Sequence, residues 1–232
     1  MNGETIAVIG GTGDLGFGLA LRWVRAGAHV LIGSRDETKA KDAAERLKQT
    51  LSAERPPDQI LVAGFENAQA CAQASVVVLA VPFAAQVSIL KSIRGSLKDA
   101  ILIDTTVPLA AAFGGKATRT LGVWQGSAAA QARELVPSGT PVLAAFHNLS
   151  AEALQDLSET PDCDILVCGD DKPAKDILFS LVKLIPGLRP IDAGPLEMAR
   201  IVESITALLI SVNGRYRVRH SGIRITGLEP EA

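Results

Sequence analysis

The sequence TIAVIGGTGDLGFGLALRWVRAG at residues 5–27 has the pattern from which the architecture of the chain can be worked out. Residues 5–9 form a short, mostly apolar run typical of a buried strand, and residues 14–25 have the apolar spacing of a helix. Three glycines follow the strand in the G-x-G-x-x-G spacing: Gly11, Gly13 and Gly16. In a dinucleotide-binding turn, the first glycine permits a tight turn, the second lets the backbone approach a pyrophosphate, and the third packs the helix on the strand.

Thr12 lies within this turn, and Asp14 and Leu15 begin the helix, so residues 11–16 form the candidate phosphate-binding segment. The N-terminus of a helix attracts phosphate because its first N–H groups have no partner within the helix. A glycine-rich turn without any ligand is the alternative interpretation. The strand before the turn, the helix after it and a second apolar run at residues 29–33 favour the nucleotide-binding interpretation.

The alternation of strand and helix continues through the first half of the chain. Strands are predicted at residues 5–9, 29–33, 59–63, 75–81 and 100–104, and helices at residues 14–25, 37–53 and 83–97. The strands are continuously apolar, as in VVVLAV at residues 76–81, which is typical of parallel strands that helices cover on both faces. We therefore predict an α/β fold with a Rossmann-type, doubly wound parallel sheet.

The second half of the chain resumes the pattern after a stretch rich in Gly, Ala, Thr and Pro at residues 105–138. A helix is predicted at residues 127–135 and a strand at 141–146; beyond His147, strands are predicted at 164–168, 188–192 and near 223–226, and helices at 172–184 and 196–211. This organisation predicts a dinucleotide-binding domain at residues 1–147 and a small C-terminal α/β domain at residues 148–232.

The end of the second strand indicates which dinucleotide is bound. Enzymes that use NAD usually place a carboxylate there, on the ribose 2′-hydroxyl. This chain instead offers Ser34 and Arg35, with Lys39 one helical turn later, a set of groups that can surround a 2′-phosphate. NADP is therefore favoured. In the competing interpretation Asp36 is the ribose carboxylate, although Asp36 is better explained as the N-cap of the next helix.

Composition excludes several classes of function. The chain has 232 residues, of which 47% are hydrophobic and 21% charged, so it can form a globular core. A net charge of −2 gives no overall attraction for nucleic acid, and no apolar run is long enough to span a membrane. The three cysteines and three histidines have no metal-type spacing, so we expect no disulfide framework and no metal site. These features indicate a cytoplasmic protein.

Five segments together resemble one known family: GGTGDLGFGLALR, IGSRDETKA, VLAVPFAAQ, VCGDDKPAK and GLRPIDAGPLEMARIVESIT. The resemblance is to the NADPH-dependent reductases of coenzyme F420, an 8-hydroxy-5-deazaflavin, also called F420-dependent NADP oxidoreductases. It spans nearly the whole chain, and GLRPIDAGPL, at residues 187–196, is its most discriminating part. The resemblance implies an NADP-dependent oxidoreductase that transfers a hydride between NADP(H) and coenzyme F420.

The resemblance also implies roles for individual residues. Thr12, Gly13 and Leu15 would contact the pyrophosphate, and Ser34, Arg35 and Lys39 the 2′-phosphate. Val81 and Pro82 would form a wall beside the nicotinamide, and His147 and Asn148 would line the deazaflavin pocket between the two domains.

His147 is the candidate catalytic residue because it ends a strand at the predicted domain boundary. As a hydrogen-bond donor it could stabilise charge on the deazaflavin, and a purely structural histidine is the alternative. Two other functions stay open: a reductase of flavin or another small acceptor, and a module that senses NADPH without turnover. We expect the substrates to be small molecules. We also expect the chain to pair with a second copy of itself, because the predicted helix at residues 196–211 is too apolar to lie exposed.

Overall fold

A computed structural model describes residues 3–228 and contains, within that range, one eight-stranded sheet. The strands are β1 (Thr5–Ile9), β2 (His29–Ser34), β3 (Val62–Glu66), β4 (Val76–Leu79), β5 (Ile101–Asp104), β6 (Val142–Ala144), β7 (Cys163–Gly169) and β8 (Leu188–Asp192). Their order in the sheet is β3-β2-β1-β4-β5-β6-β7-β8, and β1 to β6 pair in parallel. The predicted Rossmann-type architecture is confirmed.

Helices cover both faces of this sheet. They are α1 (Asp14–Arg25), α2 (Glu37–Leu51), α3 (Asn67–Ala72), α4 (Phe83–Ile93), α5 (Ala128–Leu135), α6 (Ala151–Gln155), α7 (Lys172–Lys183) and α8 (Ala199–Tyr216). Alternate residues of β1 belong to two separate hydrophobic cores, since Ile6 and Val8 pack with α1, α2 and α7 while Ala7 and Ile9 pack with α3, α4 and α5. Burial on both faces explains why the strands are continuously apolar.

The chain reverses direction in the sheet close to the predicted domain boundary at residue 147. Strand β7 pairs antiparallel with β6, and β8 then pairs in parallel with β7, so the second half of the chain extends the same sheet. Helix α6 packs on α1, where the buried Arg22 guanidinium donates to the carbonyls of Leu154 and Ala153, each at 2.8 Å. The division into two domains at this residue stays a prediction.

Two predicted strands differ from the structure. The strand predicted at residues 59–63 begins later, at Val62, because Pro57–Gln59 form a short 3-10 helix, and the strand predicted near residues 223–226 is wrong. Residues 223–226 form no strand; they run beside β7 with a single backbone hydrogen bond, from the Asp164 N–H to the Ile223 carbonyl at 2.7 Å. The next N–H, that of Ile225, donates to the Asp164 carboxylate at 2.7 Å, so a side chain takes the place of a ladder bond. Arg189 and Arg224 donate to the same carboxylate, each at 2.7 Å at the shortest.

Asp164 thus clamps the C-terminal segment to the edge of the sheet. The carboxylate is fully buried, and burial alone would raise its pKa. Hydrogen bonds from Arg189, the Ile225 N–H and Arg224 outweigh that effect and lower the pKa of Asp164 to about 2. A carboxyl with a lowered pKa in the folded state stabilises the fold above its unfolded pKa and loses that contribution as the pH falls toward 2.

We expect Asp164→Asn to lower the free energy of unfolding by roughly 2 kcal/mol at pH 7, because the amide removes the charge that pairs with Arg189 and with one nitrogen of Arg224. The difference from the unmodified chain should shrink as the pH is lowered from about 5 to 3. Urea unfolding at several pH values measures both quantities. Asp162→Asn, at a mostly exposed partner of Arg224, is the matched control with a small effect. A difference for Asp164→Asn that does not change with pH would contradict this account.

Candidate functional site

The turn after β1 is shaped by Gly10 as well as by the three glycines of the motif. Gly10 has a φ of 84°, in the left-handed region, and its N–H donates to the Gly33 carbonyl of β2 at 3.1 Å. A Cβ at Gly10 would overlap the Ala80 carbonyl oxygen after β4. The sequence assigns the tight turn to Gly11, but the left-handed residue is one position earlier. Gly11 keeps a packing role, since a Cβ there would lie 2.9 Å from the Val8 carbonyl oxygen.

The other two glycines of the motif lie at the start of α1. Gly13 is the N-cap of α1, and a Cβ there would meet only the Gly10 carbonyl oxygen, at 3.3 Å. Gly16 lies in the first turn of α1, where a Cβ would come within 2.6 Å of the same oxygen. The close approach of α1 to the turn therefore requires Gly16, and the open backbone at Gly13 leaves room for a ligand.

A cleft with a volume of about 300 Å³ opens at this turn, at the carboxyl ends of the parallel strands. It brings together seven of the predicted binding residues: Thr12, Gly13, Ser34, Arg35, Lys39, Val81 and Pro82. Six further residues line it that sequence reasoning did not assign: Gly10, Asp36, Asn67, Ala80, Ala85 and Ile89. Gly11, Asp14, Leu15 and Gly16 form the turn and the start of α1 without lining the cleft.

The end of β2 gives the cleft a cationic side. Arg35 and Lys39 are exposed, and neither side chain has an ion-pair or hydrogen-bond partner within residues 3–228. The Asp36 carboxylate accepts from the backbone N–H groups of Thr38 at 3.0 Å and Lys39 at 3.4 Å, which is the predicted N-cap of α2. Because Asp36 is engaged with the helix, the two unpaired cations are the groups available to an anionic ligand.

His147 and Asn148 lie outside the cleft. His147 is 4% exposed, and neither of its ring nitrogens has a hydrogen-bond partner among the described residues. Burial lowers the pKa of His147 to about 4, opposed by the nearby backbone carbonyl of Asp104, so the imidazole is neutral at pH 7. Asn148 lines a separate cavity of about 160 Å³, and its amide donates to the Asp164 carbonyl at 2.7 Å.

A buried polar cluster lies at the end of β5, beside the Val81–Pro82 wall. The Gln86 amide donates to the Asp104 carboxylate at 2.6 Å and to the Thr106 hydroxyl at 2.8 Å, and Glu203 accepts from the N–H of Ala128 at 2.8 Å. Burial raises the pKa of Asp104 to about 6 and that of Glu203 to about 8, although hydrogen bonds oppose both shifts. These contacts join α4, β5, α5 and α8, and the sequence alone did not reveal them.

Comparisons with known proteins show which family this chain belongs to. The family model for "NADP oxidoreductase coenzyme F420-dependent" matches residues 5–108, which contain every residue lining the cleft. An F420-dependent NADP reductase from Methanothermobacter thermautotrophicus is 51% identical over 224 residues, covering 96% of this chain and 95% of that protein. This chain belongs to the family of F420-dependent NADP reductases.

Other members of the family extend the likeness. The F420-dependent NADP reductase from Methanocaldococcus jannaschii is 42% identical over 224 residues, 97% of this chain and 99% of that protein. A solved structure from Arthrobacter sp. FB24, assigned to the F420-dependent NADP-reductases, superposes with a TM-score of 0.78 at 26% identity, covering 97% of this chain and 100% of that one. The family resemblance that the sequence motifs indicated is confirmed over nearly the full length.

Between residues 3 and 228, no helix combines the length and the apolar character needed to cross a bilayer. Over the same residues, no three His, Cys, Asp or Glu side chains come together as a group that could hold a metal ion.

Proposed function

We propose that this chain is an NADP-dependent oxidoreductase that transfers a hydride between NADP(H) and coenzyme F420. The observation that carries the proposal is the combination of a nearly full-length family match with a cleft whose cations, Arg35 and Lys39, have no partner among residues 3–228. The chemistry resides in the rings of the two cofactors, with the hydride moving between C4 of nicotinamide and C5 of the deazaflavin.

The residues of the cleft fit NADP(H) on physical grounds. The Gly13 N–H donates to the Gly10 carbonyl at 2.9 Å, but no side chain caps α1, so the N–H groups of the first helical turn are available to a pyrophosphate. Arg35 and Lys39 provide charge for a 2′-phosphate, and Ser34 adds a hydroxyl at the same end of β2. Val81 and Pro82, after β4, form an apolar wall at the other end of the cleft, which suits the face of a nicotinamide ring.

The protein's part in the reaction is to bind, orient and exclude water. No side chain has to act as a nucleophile, because both reacting atoms belong to the bound substrates. The buried cluster around Gln86 and Asp104 holds α4 and the end of β5 in place behind the nicotinamide wall. A rigid wall favours the stacked arrangement that hydride transfer requires.

A rate assay tests the proposed function. Purified chain should oxidise NADPH with coenzyme F420 at least tenfold faster than with FMN under anaerobic conditions. The reason is that the similarity to an F420-dependent NADP reductase covers 96% of this chain. Equal rates with the two acceptors would point to a general flavin reductase. NADPH binding without turnover of either acceptor would point to a sensing module, and both results would contradict the proposal.

Arg35 is the residue on which we expect selectivity for NADPH to depend. Arg35→Ala should raise the KM for NADPH roughly tenfold to a hundredfold, since a charge-assisted hydrogen bond contributes roughly 1.5 to 3 kcal/mol, and should leave NADH kinetics nearly unchanged. Ser34→Asp should go further by repelling the phosphate and offering an acceptor to the ribose of NADH. Lys41→Ala removes a cation of α2 that pairs with Glu37 and serves as the control. If Arg35→Ala raises the KM for NADPH and for NADH equally, Arg35 stabilises the loop after β2 and does not select the 2′-phosphate.

His147 is proposed to line the deazaflavin pocket with Asn148. Two unpartnered ring nitrogens on a buried, neutral imidazole support a role in hydrogen bonding to a ligand, because buried polar atoms are ordinarily paired. We expect His147→Ala to raise the KM for F420 roughly tenfold while leaving the Kd for NADPH unchanged. Since the pKa of His147 is about 4, its ionisation should not appear in the rate profile between pH 6 and 8. If His147→Ala lowers the thermal stability and leaves the KM for F420 unchanged, the role of His147 is structural.

That the protein resides in the cytoplasm stays a prediction.

We propose a second copy of this chain as its protein partner. Helix α8 carries an apolar stripe with spacings of four, three and four residues, made of Ile201, Ile205, Leu208 and Val212. Ile201 and Leu208 are 51% and 60% exposed, and such spacing is that of a helix-pairing seam. Leu208→Glu should therefore yield the 24.3 kDa monomer in light scattering, whereas Leu61→Glu, beside β3, should leave a dimer. A monomeric unmodified chain would contradict the proposal.

A further inference from the structure

Asn67 is a buried polar residue that lines the cleft beside Ser34 and Arg35. It is the first residue of α3 and is only 2% exposed. Its side-chain oxygen, Oδ1, has no hydrogen-bond partner in the part of the chain that the structure describes. The neighbouring Glu66 carboxylate cannot help, because it accepts from the Ala68 N–H at 2.8 Å and has no hydrogen to donate when ionised.

The sheet places Asn67 next to the residues that select the nucleotide. Strand β3 pairs in parallel with β2, with Glu66 opposite Ser34, so Asn67 follows at the level of Arg35. A Cβ built on Gly33 would lie 3.1 Å from the Asn67 oxygen, which places the amide directly against the last residues of β2. Asn67 lines the same cleft as Ser34 and Arg35.

An unpartnered buried amide oxygen in a cleft indicates a ligand. Buried side-chain oxygens are nearly always paired, since desolvating one without a partner is unfavourable. A residue that served only the core would be replaced here by an apolar side chain of the same shape at little cost. The oxygen of Asn67 is therefore suited to accept a hydrogen bond from a donor on the bound molecule.

The chemistry of the nucleotide limits what that donor can be. The 2′-phosphate offers only acceptors when fully ionised, so the donors on the adenosine half of NADP(H) are the ribose 3′-hydroxyl and the adenine amine. In folds of this kind the ribose lies at the end of the second strand, and Asn67, just after β3, lies beside the end of β2. We propose that Asn67 is a specificity-determining residue whose Oδ1 accepts a hydrogen bond from the ribose 3′-hydroxyl and whose NH₂ group faces the 2′-phosphate. This assignment rests on the proposed use of NADP(H).

Calorimetric titration of the full chain with NADP⁺ tests the assignment without any F420. Asn67→Leu should raise the Kd for NADP⁺ roughly tenfold or more. The same variant should leave the thermal midpoint of the ligand-free protein unchanged or raise it, because it removes an unpaired oxygen and no hydrogen bond. Gln131→Met removes another unpartnered amide oxygen, on α5 and outside the cleft, and should bind NADP⁺ like the unmodified chain.

Asn67→Asp distinguishes the two halves of the amide. The carboxylate keeps an acceptor for the ribose hydroxyl but repels the 2′-phosphate, so NADP⁺ should lose at least ten times more affinity than NAD⁺. The hypoxanthine analogue of NADP⁺, which lacks the adenine amine, should show the same loss as NADP⁺ itself in Asn67→Leu.

Several results would overturn the assignment. Wild-type affinity for NADP⁺ in both Asn67 variants would do so, and so would a loss in Asn67→Leu that vanishes with the hypoxanthine analogue, because the partner would then be the adenine amine. A lowered thermal midpoint together with unchanged affinity would assign Asn67 a structural role. If the unmodified chain binds NADP⁺ but does not reduce F420, the proposed acceptor fails while the Asn67 assignment is still decided by these titrations.

Discussion

The left-handed backbone at Gly10 is the constraint on which the rest of the site depends. Its φ of 84° turns the chain out of β1, and its N–H donates to the Gly33 carbonyl of β2. Any side chain at this position would overlap the Ala80 carbonyl after β4. Three strand ends therefore meet at one residue without a side chain. The cleft, its cationic side on β2 and its apolar wall after β4 are all arranged around that contact.

In the second half of the molecule, buried charged side chains rather than glycines hold the irregular segments in place. The buried Arg22 guanidinium holds the chain around Leu154 on α1, and the buried Asp164 carboxylate holds the C-terminal segment beside β7. Both groups satisfy backbone atoms that no helix or sheet ladder reaches. Such contacts stabilise irregular segments that would otherwise leave buried backbone groups unpaired.

The regular elements could be predicted from the sequence because each has a local signal. The bounds of β1, α1 and β8 agree with the prediction, since apolar periodicity and flanking glycines or prolines define them. The short helix α6 and the true turn residue Gly10 were missed, because neither depends on periodicity. Arg35 and Lys39 could be found from their position after β2, whereas the clamp at Asp164 joins residues 60 apart that no local pattern connects.

The central claim is that an unpaired cationic cleft at the glycine turn selects a 2′-phosphorylated dinucleotide. Titration of the unmodified chain with NADP⁺ and NAD⁺ at low and high ionic strength tests it most directly. The account predicts that NADP⁺ binds roughly tenfold more tightly than NAD⁺, or better, at low salt. The ratio of the two Kd values should fall as salt screens the exposed cations Arg35 and Lys39. Equal affinities for the two nucleotides, or a preference that salt does not change, would contradict it.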